Sequence, residues 1–367
     1  MAPDPEGPGW GRTPRGTGVP VRQVAARRFG CKNAILAVMT TSNTEPFLAA
    51  RLIKEIGRGK DGARSMTRDD AHDLYQAMLD GRVSDLELGG ILLSMRIKGE
   101  SVEEIAGFLD AAESSFEALT APPGQFAPVC IPSYNGARKM ANLTPLLAML
   151  LAREGVPVLV HGVAHDLGRV ASAEVFEVLG VPSVRHRAEA EEEMAKGHVA
   201  FITIDALAPK LAYMLSLRRR LGVRNSTHTL VKIMQPFVGP ALRLVSYTHP
   251  EYLEMLGEYF TTSALPERGD AFLMRGTEGE TVANANKAQQ IDWFHGGLRT
   301  TLVPKQTQVG ELPLLPEDKG AAATAEWISS VLSGDIPVPP SIAEQVAQCL
   351  LVSRTLQSRQ RVSEPIE

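Results

Sequence analysis

Residues 128–162 carry the side chains best placed for chemistry. Ser133, Asn135 and Gly136 follow a short apolar run at 129–131, Asn142 and Thr144 precede a helical stretch at 143–152, and His161 with Gly162 closes a second apolar run at 156–160. A strand, a glycine-containing turn and a helix start form an arrangement in which free backbone N–H groups and the positive end of the helix dipole receive a phosphate. On spacing alone an ordinary structural turn is the stronger reading, since every α/β protein has such turns. Other chemistries fail on residue type or spacing. His161 and His165 are four apart but straddle a strand end and a loop, which is not a zinc pair, and no metal site is expected. Ser133 lies outside any Gly-x-Ser-x-Gly turn and has no evident base, so no catalytic nucleophile is assigned.

The second candidate is positive charge. The formal net charge is −4, so attraction to a polyanion must come from local patches. Residues 206–250 contain no Asp or Glu but hold Lys210, Arg218, Arg219, Arg220, Arg224, Lys232 and Arg243, with His228 and His249 able to add charge. A second acid-free window, 118–153, holds Arg138, Lys139 and Arg153. Two such windows in a net acidic chain predict a segregated positive surface, where each cation placed over a phosphate releases a counterion. If 211–221 is one helix, Leu211, Met214 and Leu215 take the buried face and the three arginines fan around its last turn. One or two of them would complement the helix C-terminus; the rest exceed what capping needs. Arg138 and Lys139 read either as phosphate contacts or as solvated surface. Aromatic residues make up 5% of the chain, so contacts would be electrostatic rather than base-reading. Tyr134 is either a stacking residue or a core tyrosine. Glu189, Glu191, Glu192 and Glu193 read as a solvated helix face, and Trp293 as core.

These groups need elements to hold them. Residues 1–44 read as a disordered basic extension; its first 38 residues carry six Arg and Lys against two acids, and Met39 is the natural start. Residues 45–120 form a helical domain, marked by Thr67 with Asp70, Ser84 with Glu87 and Ser101 with Glu104 as helix N-caps and by Gly81 and Gly99 as stops. Helices within 206–238 are expected to complete it. Ala121-Pro122-Pro123-Gly124 is a break. Beyond it, apolar runs at 129–131, 156–160, 199–204, 242–247, 271–274 and 291–294 alternate with helical stretches at 171–179, 252–260 and 322–332. The expected fold class is α/β: a small N-terminal helical domain plus a larger domain, 125–204 with 239–352, built on a mainly parallel sheet. Residues 353–367 read as a flexible tail. Cys31, Cys130 and Cys349 are too few and scattered for a disulfide framework, which points to a reducing, cytoplasmic compartment. No apolar run approaches the roughly 20 residues of a membrane span.

The order of helical module, strand–turn–helix with Asn142 and Thr144, strand ending in His161-Gly162, and the segment LRRRLGVRN at 217–225 resembles the anthranilate phosphoribosyltransferase family (glycosyltransferase family 3), from about residue 46 to 351. The resemblance implies a phosphoribosyltransferase-like fold and, in the enzymes, a Gly-Thr-Gly-Gly-Asp loop that wraps a pyrophosphate. Here Pro132-Ser133-Tyr134-Asn135-Gly136-Ala137-Arg138 stands in that place. The enzymes' Lys-His-Gly-Asn-Arg becomes Val160-His161-Gly162-Val163-Ala164, and their Leu-Gly-Pro-Leu-x-Asn-Pro becomes Val231-Lys232-Ile233-Met234-Gln235-Pro236. No Asp-Glu pair for magnesium is recognisable; near RGTEGE at 275–280 only isolated glutamates remain. IPSYNGARKMANLTPLL, VHGV, LRRRLGVRNSTH and RGTEGE are similar to the YbiB-type branch. That resemblance implies a homodimer that binds nucleic acid, DNA or also RNA, without marked sequence preference and without transferase activity or a cofactor; two subunits meeting through their helical domains would let the paired basic windows line one groove. The alternative is a phosphoribosyl transferase that acts on a phosphorylated ribose through the degenerate pocket of Ser133, Asn135, Gly136, Asn142, Thr144, His161 and Gly162, with Mg2+ required only in that case.

Overall fold

The structure is a computed structural model that describes residues 45–59, 61–287, 289–305 and 314–363. The extension expected over 1–44, with the start at Met39, lies outside the described residues. The described residues begin with four helices, α1 (Ala50–Ile56), α2 (Arg68–Leu79), α3 (Asp85–Lys98) and α4 (Val102–Glu113). All three expected N-caps form: Thr67 accepts from the Asp70 N–H, and Ser84 and Ser101 make reciprocal boxes with Glu87 and Glu104. Glu104 does more than cap. Fully buried, it also accepts from the Met66 N–H at 2.9 Å and pairs with Lys98 Nζ at 2.6 Å, fixing the α3–α4 turn against the entry to α2. Helices α2 and α4 pack so closely that a Cβ at Gly107 would lie 2.2 Å from the Arg68 carbonyl oxygen.

The middle of the chain runs β1 (Val129–Ser133), α5 (Thr144–Arg153), β2 (Val158–Gly162), α6 (Ser172–Val178), α7 (Arg187–Ala195) and β3 (Ala200–Thr203). Helices α8 (Ile204–Leu207), α9 (Pro209–Ser216), α10 (Arg218–Leu221) and α11 (Thr227–Ile233) then return to the first module. Tyr75 and Thr227 share a buried hydroxyl hydrogen bond of 2.7 Å, Ser226 donates to Glu100, and the Gln235 N–H donates to Glu113. The last third contributes β4 (Ala241–Tyr247), α12 (Pro250–Thr262), β5 (Gly269–Arg275), β6 (Ile291–His295), β7 (Leu298–Val303), α13 (Ala321–Ser333) and α14 (Pro340–Ser363).

The strands form one sheet in the order β3-β2-β1-β4-β5-β6-β7, with the first five parallel and the last two antiparallel. Side chains alternate across it, as a period of two requires. Cys130, Leu159, Ile202 and Val245 join the core shared with the helical module. Val129, Ile131, Val158, Val160 and Leu244 join a second core under α5, α6, α13 and α14. Helices on both faces account for the unbroken apolar runs of the parallel strands.

Three expectations require correction. Residues 211–221 are not one helix: it is interrupted at Leu217 and restarts from the Leu217 carbonyl, which accepts the Arg220 and Leu221 N–H groups. The three arginines thus occupy a separate turn, ended by Gly222 at φ +75°. The tail expected from 353 is the end of α14 as far as Ser363; Ser353 exchanges hydrogen bonds with Ala127, Leu356 is buried, and Arg359 pairs with buried Asp270 at 2.7 Å. Strand β7 was not expected, because its side chains are mostly exposed and lack an apolar alternation.

Substituting Glu104→Ala should lower unfolding free energy by about 3 kcal/mol or more, since it strands the Lys98 ammonium, whose side chain is only 8% exposed. Urea denaturation of the variant against the parent chain checks this.

Candidate functional site

In a parallel sheet the ligand crevice lies beyond the C-terminal strand ends where the order reverses, here between β1, which leads to β2, and β4, which leads to β5. The loop after β1 meets the loop after β5 at that place. Its backbone points five N–H groups at two carboxylates. Asn135 and Gly136 donate to Glu280 Oε1 at 2.8 and 2.7 Å. Arg138 donates to Glu278 Oε2 at 3.0 Å, while Lys139 and Met140 donate to Glu278 Oε1 at 2.7 and 2.8 Å. The N–H groups of the turn thus do receive carboxylates, and those carboxylates are the protein's own glutamates, in an internal bridge between two loops.

The rest of the expected pocket gathers round this contact. Thr144 Oγ1 lies 3.5 Å from Glu280 Oε2, Asn142 accepts the Thr144 N–H and donates to Val170 O and Ser172 Oγ, and Ser133 bonds the same Ser172 hydroxyl. Gly162 lets β2 approach β1, where a Cβ would stand 1.9 Å from the Ser133 carbonyl oxygen. Ser133, Asn135, Gly136, Asn142, Thr144, His161 and Gly162 all come together, buried, and the polar ones bond mainly to Ser172, Glu280, Gly279 and Tyr134 rather than facing solvent. His161 Nδ1 contacts the Tyr134 hydroxyl at 2.8 Å, and its buried Nε2 has no partner among the described residues. Burial lowers the His161 pKa to about 3 and raises that of Tyr134 well above the phenolic range, so both are neutral at pH 7.

The acidic loop is held in an unusual conformation. Glu278 sits at φ +54°, a left-handed position that costs a side-chain-bearing residue about 1 kcal/mol or more. Gly279 follows at φ +96°, where a Cβ would fall 2.2 Å from Asn135 Nδ2. The Gly279 carbonyl accepts from Asn135 Nδ2, Ser246 Oγ and Lys232 Nζ at 2.7, 3.0 and 3.3 Å. Arg169, which the sequence reading did not single out, donates to the carbonyls of Gly136 and Glu278 and lies 3.9 Å from the Glu278 carboxylate.

A cleft of about 580 Å³ opens beside this contact, lined by Tyr134 and Asn135 and by Arg218, Arg219, Arg224 and Lys232. A second cavity of about 330 Å³ shares Arg224, His228 and Lys232, which recur every four residues along α11 and its approach. Burial lowers the Lys232 pKa to about 8 despite nearby Glu280, and burial with Arg224 lowers His228 to about 4. Arg224 donates to Asn135 Oδ1 at 3.0 Å.

The basic candidates separate into groups. Arg138, Lys139, Arg218, Arg219 and Arg220 are exposed, and their side chains have no hydrogen bond or ion pair with the described residues. Lys210 is exposed but pairs with Asp80 at 2.6 Å. Arg243 is a correction: it is 3% exposed in central strand β4, donates to the Ile233 carbonyl and lies over the Phe260 ring, so it belongs to the core. Asp166, from the loop after β2, and Asp205, from α8, both outside the acid-free windows, also line the larger cleft. Among the described residues no group of three or more His, Cys, Asp or Glu side chains is arranged to hold a metal. Glu278 and Glu280 are committed to backbone N–H groups, so the residues present do not fit a magnesium–pyrophosphate pair.

Because His161 and His228 remain neutral when folded but titrate near 6.5 when unfolded, the unfolded chain takes up more protons between those values. Stability should be fully present above pH 6.5 and fall as pH drops from there toward 4 and then 3, by at most about 1.4 kcal/mol per pH unit for each histidine. Urea midpoints across that range check this, and His161→Gln should flatten the slope.

Residues 50–115 match the model described as the helical bundle domain of a glycosyl transferase family. The chain is 45% identical over 304 residues to the protein YbiB of Escherichia coli K12, covering 83% of this chain and 93% of that one. It is 28% identical over 220 residues to the anthranilate phosphoribosyltransferase of Desulfitobacterium hafniense Y51, covering 60% and 64%. The solved anthranilate phosphoribosyltransferase of Thermus thermophilus superposes with a TM-score of 0.63 at 20% identity, over 84% of this chain and 89% of that one. The overall fold and the degenerate loops thus have a common source: the chain belongs to the anthranilate phosphoribosyltransferase family, glycosyltransferase family 3, on the branch of YbiB.

Proposed function

We propose that this protein is a non-catalytic, homodimeric, cytoplasmic nucleic-acid-binding protein that grips phosphates without reading sequence. The observation that carries the reading is the contrast between two anion sites. The loop that would wrap a pyrophosphate is taken by Glu278 and Glu280, whereas Arg218, Arg219 and Arg220 stand exposed on one turn with no acidic partner among the described residues. Arg138 and Lys139 add charge from the loop after β1, and Arg224 and Lys232 from the cleft. Such groups hold a backbone by charge, which suits DNA and RNA alike. No helix among the described residues is long and apolar enough to cross a membrane.

The homodimer is assigned to the helical module. Leu86 and Ile97 on α3 are 88% and 68% exposed and share a face with Leu93 and with Gly89 and Gly90, whose surroundings are open. Covering such side chains with a second copy contributes about 1.5–3 kcal/mol each.

A second reading, transfer to or from a phosphorylated ribose, is favoured by one observation: Arg224, His228 and Lys232 line both cavities and would suit a small anion. Saturable, magnesium-dependent binding of phosphoribosyl pyrophosphate would select it.

Fluorescence anisotropy with an arbitrary-sequence DNA duplex should give an affinity whose logarithm falls linearly with log salt. The triple substitution R218E/R219E/R220E should weaken every sequence alike, by about tenfold or more, and make the salt slope shallower by about 1 for each phosphate that is no longer neutralised. Unchanged binding removes these arginines from the interface. Leu86→Glu with Ile97→Glu should convert a dimer to a monomer in sedimentation.

A further inference from the structure

We infer that the cavity between α5 and the loop after α6 binds an amphiphilic monocarboxylate, an apolar body with one carboxylate head, and that Arg153 receives the head. The cavity holds about 540 Å³, within the roughly 300–1,000 Å³ of small-molecule pockets. It lies at the N-terminal ends of the strands, where α5 ends and β3 begins, so the length of the sheet separates it from the crevice and basic cleft described above. A bridge accounts for the opening. The Val184 N–H donates to the Phe201 carbonyl at 2.8 Å, which anchors residues 180–184 to the outer edge of β3, and the space left between this loop and α5 is the cavity. Met149, Ala152, Val181, Pro182, Val199 and Leu332 give it apolar walls. Met149, Val181 and Leu332 are only half-buried, packed on the core with one side left to the cavity.

Charge selects the ligand. Glu189 and Glu193 also line the cavity, but both have donors: Arg185 lies 3.3 Å from Glu189, and Lys196 and His198 each lie 2.9 Å from Glu193. Arg153 has no acidic partner among the described residues. Its side chain is exposed and makes one hydrogen bond, a 3.3 Å contact from NH1 to the Leu332 carbonyl. A guanidinium carries five N–H donors in a fork that fits a carboxylate, so most of its capacity is free. Its place in the last turn of α5 suits the helix dipole, yet the bond it makes goes to α13 instead. Arg153 belongs to the second acid-free window but stands at the opposite end of the sheet from Arg138 and Lys139. The walls supply affinity, and the cation fixes which end of the ligand lies at the mouth.

This site goes beyond the nucleic-acid reading and does not depend on it. Its test is isothermal titration of the full chain with decanoate, kept below micelle formation, beside decanol and decyltrimethylammonium of the same chain length. Decanoate should bind saturably and at least about tenfold more tightly than either, the worth of a charge-assisted hydrogen bond. R153M should bring decanoate down to the affinity of decanol and leave decanol unchanged, a split that general loss of structure does not give. Ala152→Phe, which fills the cavity from a half-buried helix position, should abolish decanoate binding. Equal affinities for the three probes, no saturable binding of decanoate, or an R153M variant that keeps the preference overturns the inference. Decanoate binding retained in a folded A152F locates the ligand elsewhere and overturns it too. Where A152F does not fold, R153M, which alters an exposed side chain, decides the matter.

Discussion

Five backbone N–H groups in the loop after β1 need acceptors, and two glutamates from the loop after β5 supply them all. Two of these donors, at Asn135 and Gly136, are buried, and a buried donor left unmatched costs about 1–3 kcal/mol, so this junction constrains much around it. It sets Gly279 hard against Asn135, fixes the carbonyl that Ser246 and Lys232 meet, and spans β4 to tie together the two halves of the sheet. Tyr134 and Asn135, at the start of the same loop, then form one wall of the cleft, so its shape follows from the acceptor problem beneath it.

Local features were legible in the residues. Each hydroxyl-x-x-carboxylate start became an N-cap, and the apolar runs became strands within a residue or two, because capping and period-two burial depend on neighbours in the chain. The parallel sheet followed from the alternation of strands and helices. What escaped was non-local. Glu278 and Glu280 reach partners about 140 residues earlier, and nothing in RGTEGE states which amides it will meet. The end of α14 is held partly by Arg359 on Asp270 and Ser353 on Ala127, polar contacts that leave no apolar period to read. Arg243 looked like surface because arginine usually is; its place in a strand covered on both faces decided otherwise.

The charge pattern was also only half visible in one dimension. A stretch without acids predicts a positive surface only if no acid arrives from elsewhere. Asp80, at the C-cap of α2, reaches Lys210, and Asp166 and Asp205 line the same cleft as Arg218, Arg219 and Lys232. Of the nine basic candidates, those both exposed and unbonded are the three on the turn Arg218–Leu221 together with Arg138 and Lys139, a narrower set than the sequence would suggest. Interruption of the helix at Leu217 matters here, since it lets Leu217 pack inward while the next three residues stay in solvent.

The helical module is assembled from two lengths of chain, 50–113 and 204–233, with three strands of the sheet between them. On a ribosome the first length emerges long before Thr227 and Leu230 exist to cover Tyr75 and the inner face of α4. Its apolar side must wait, during synthesis, for about a hundred further residues, so this part of the protein matures late although it is made early. Such long-range closure slows folding and lengthens the exposure of sticky surface. The growing chain is therefore most in need of chaperone protection while the first parallel strands are being made.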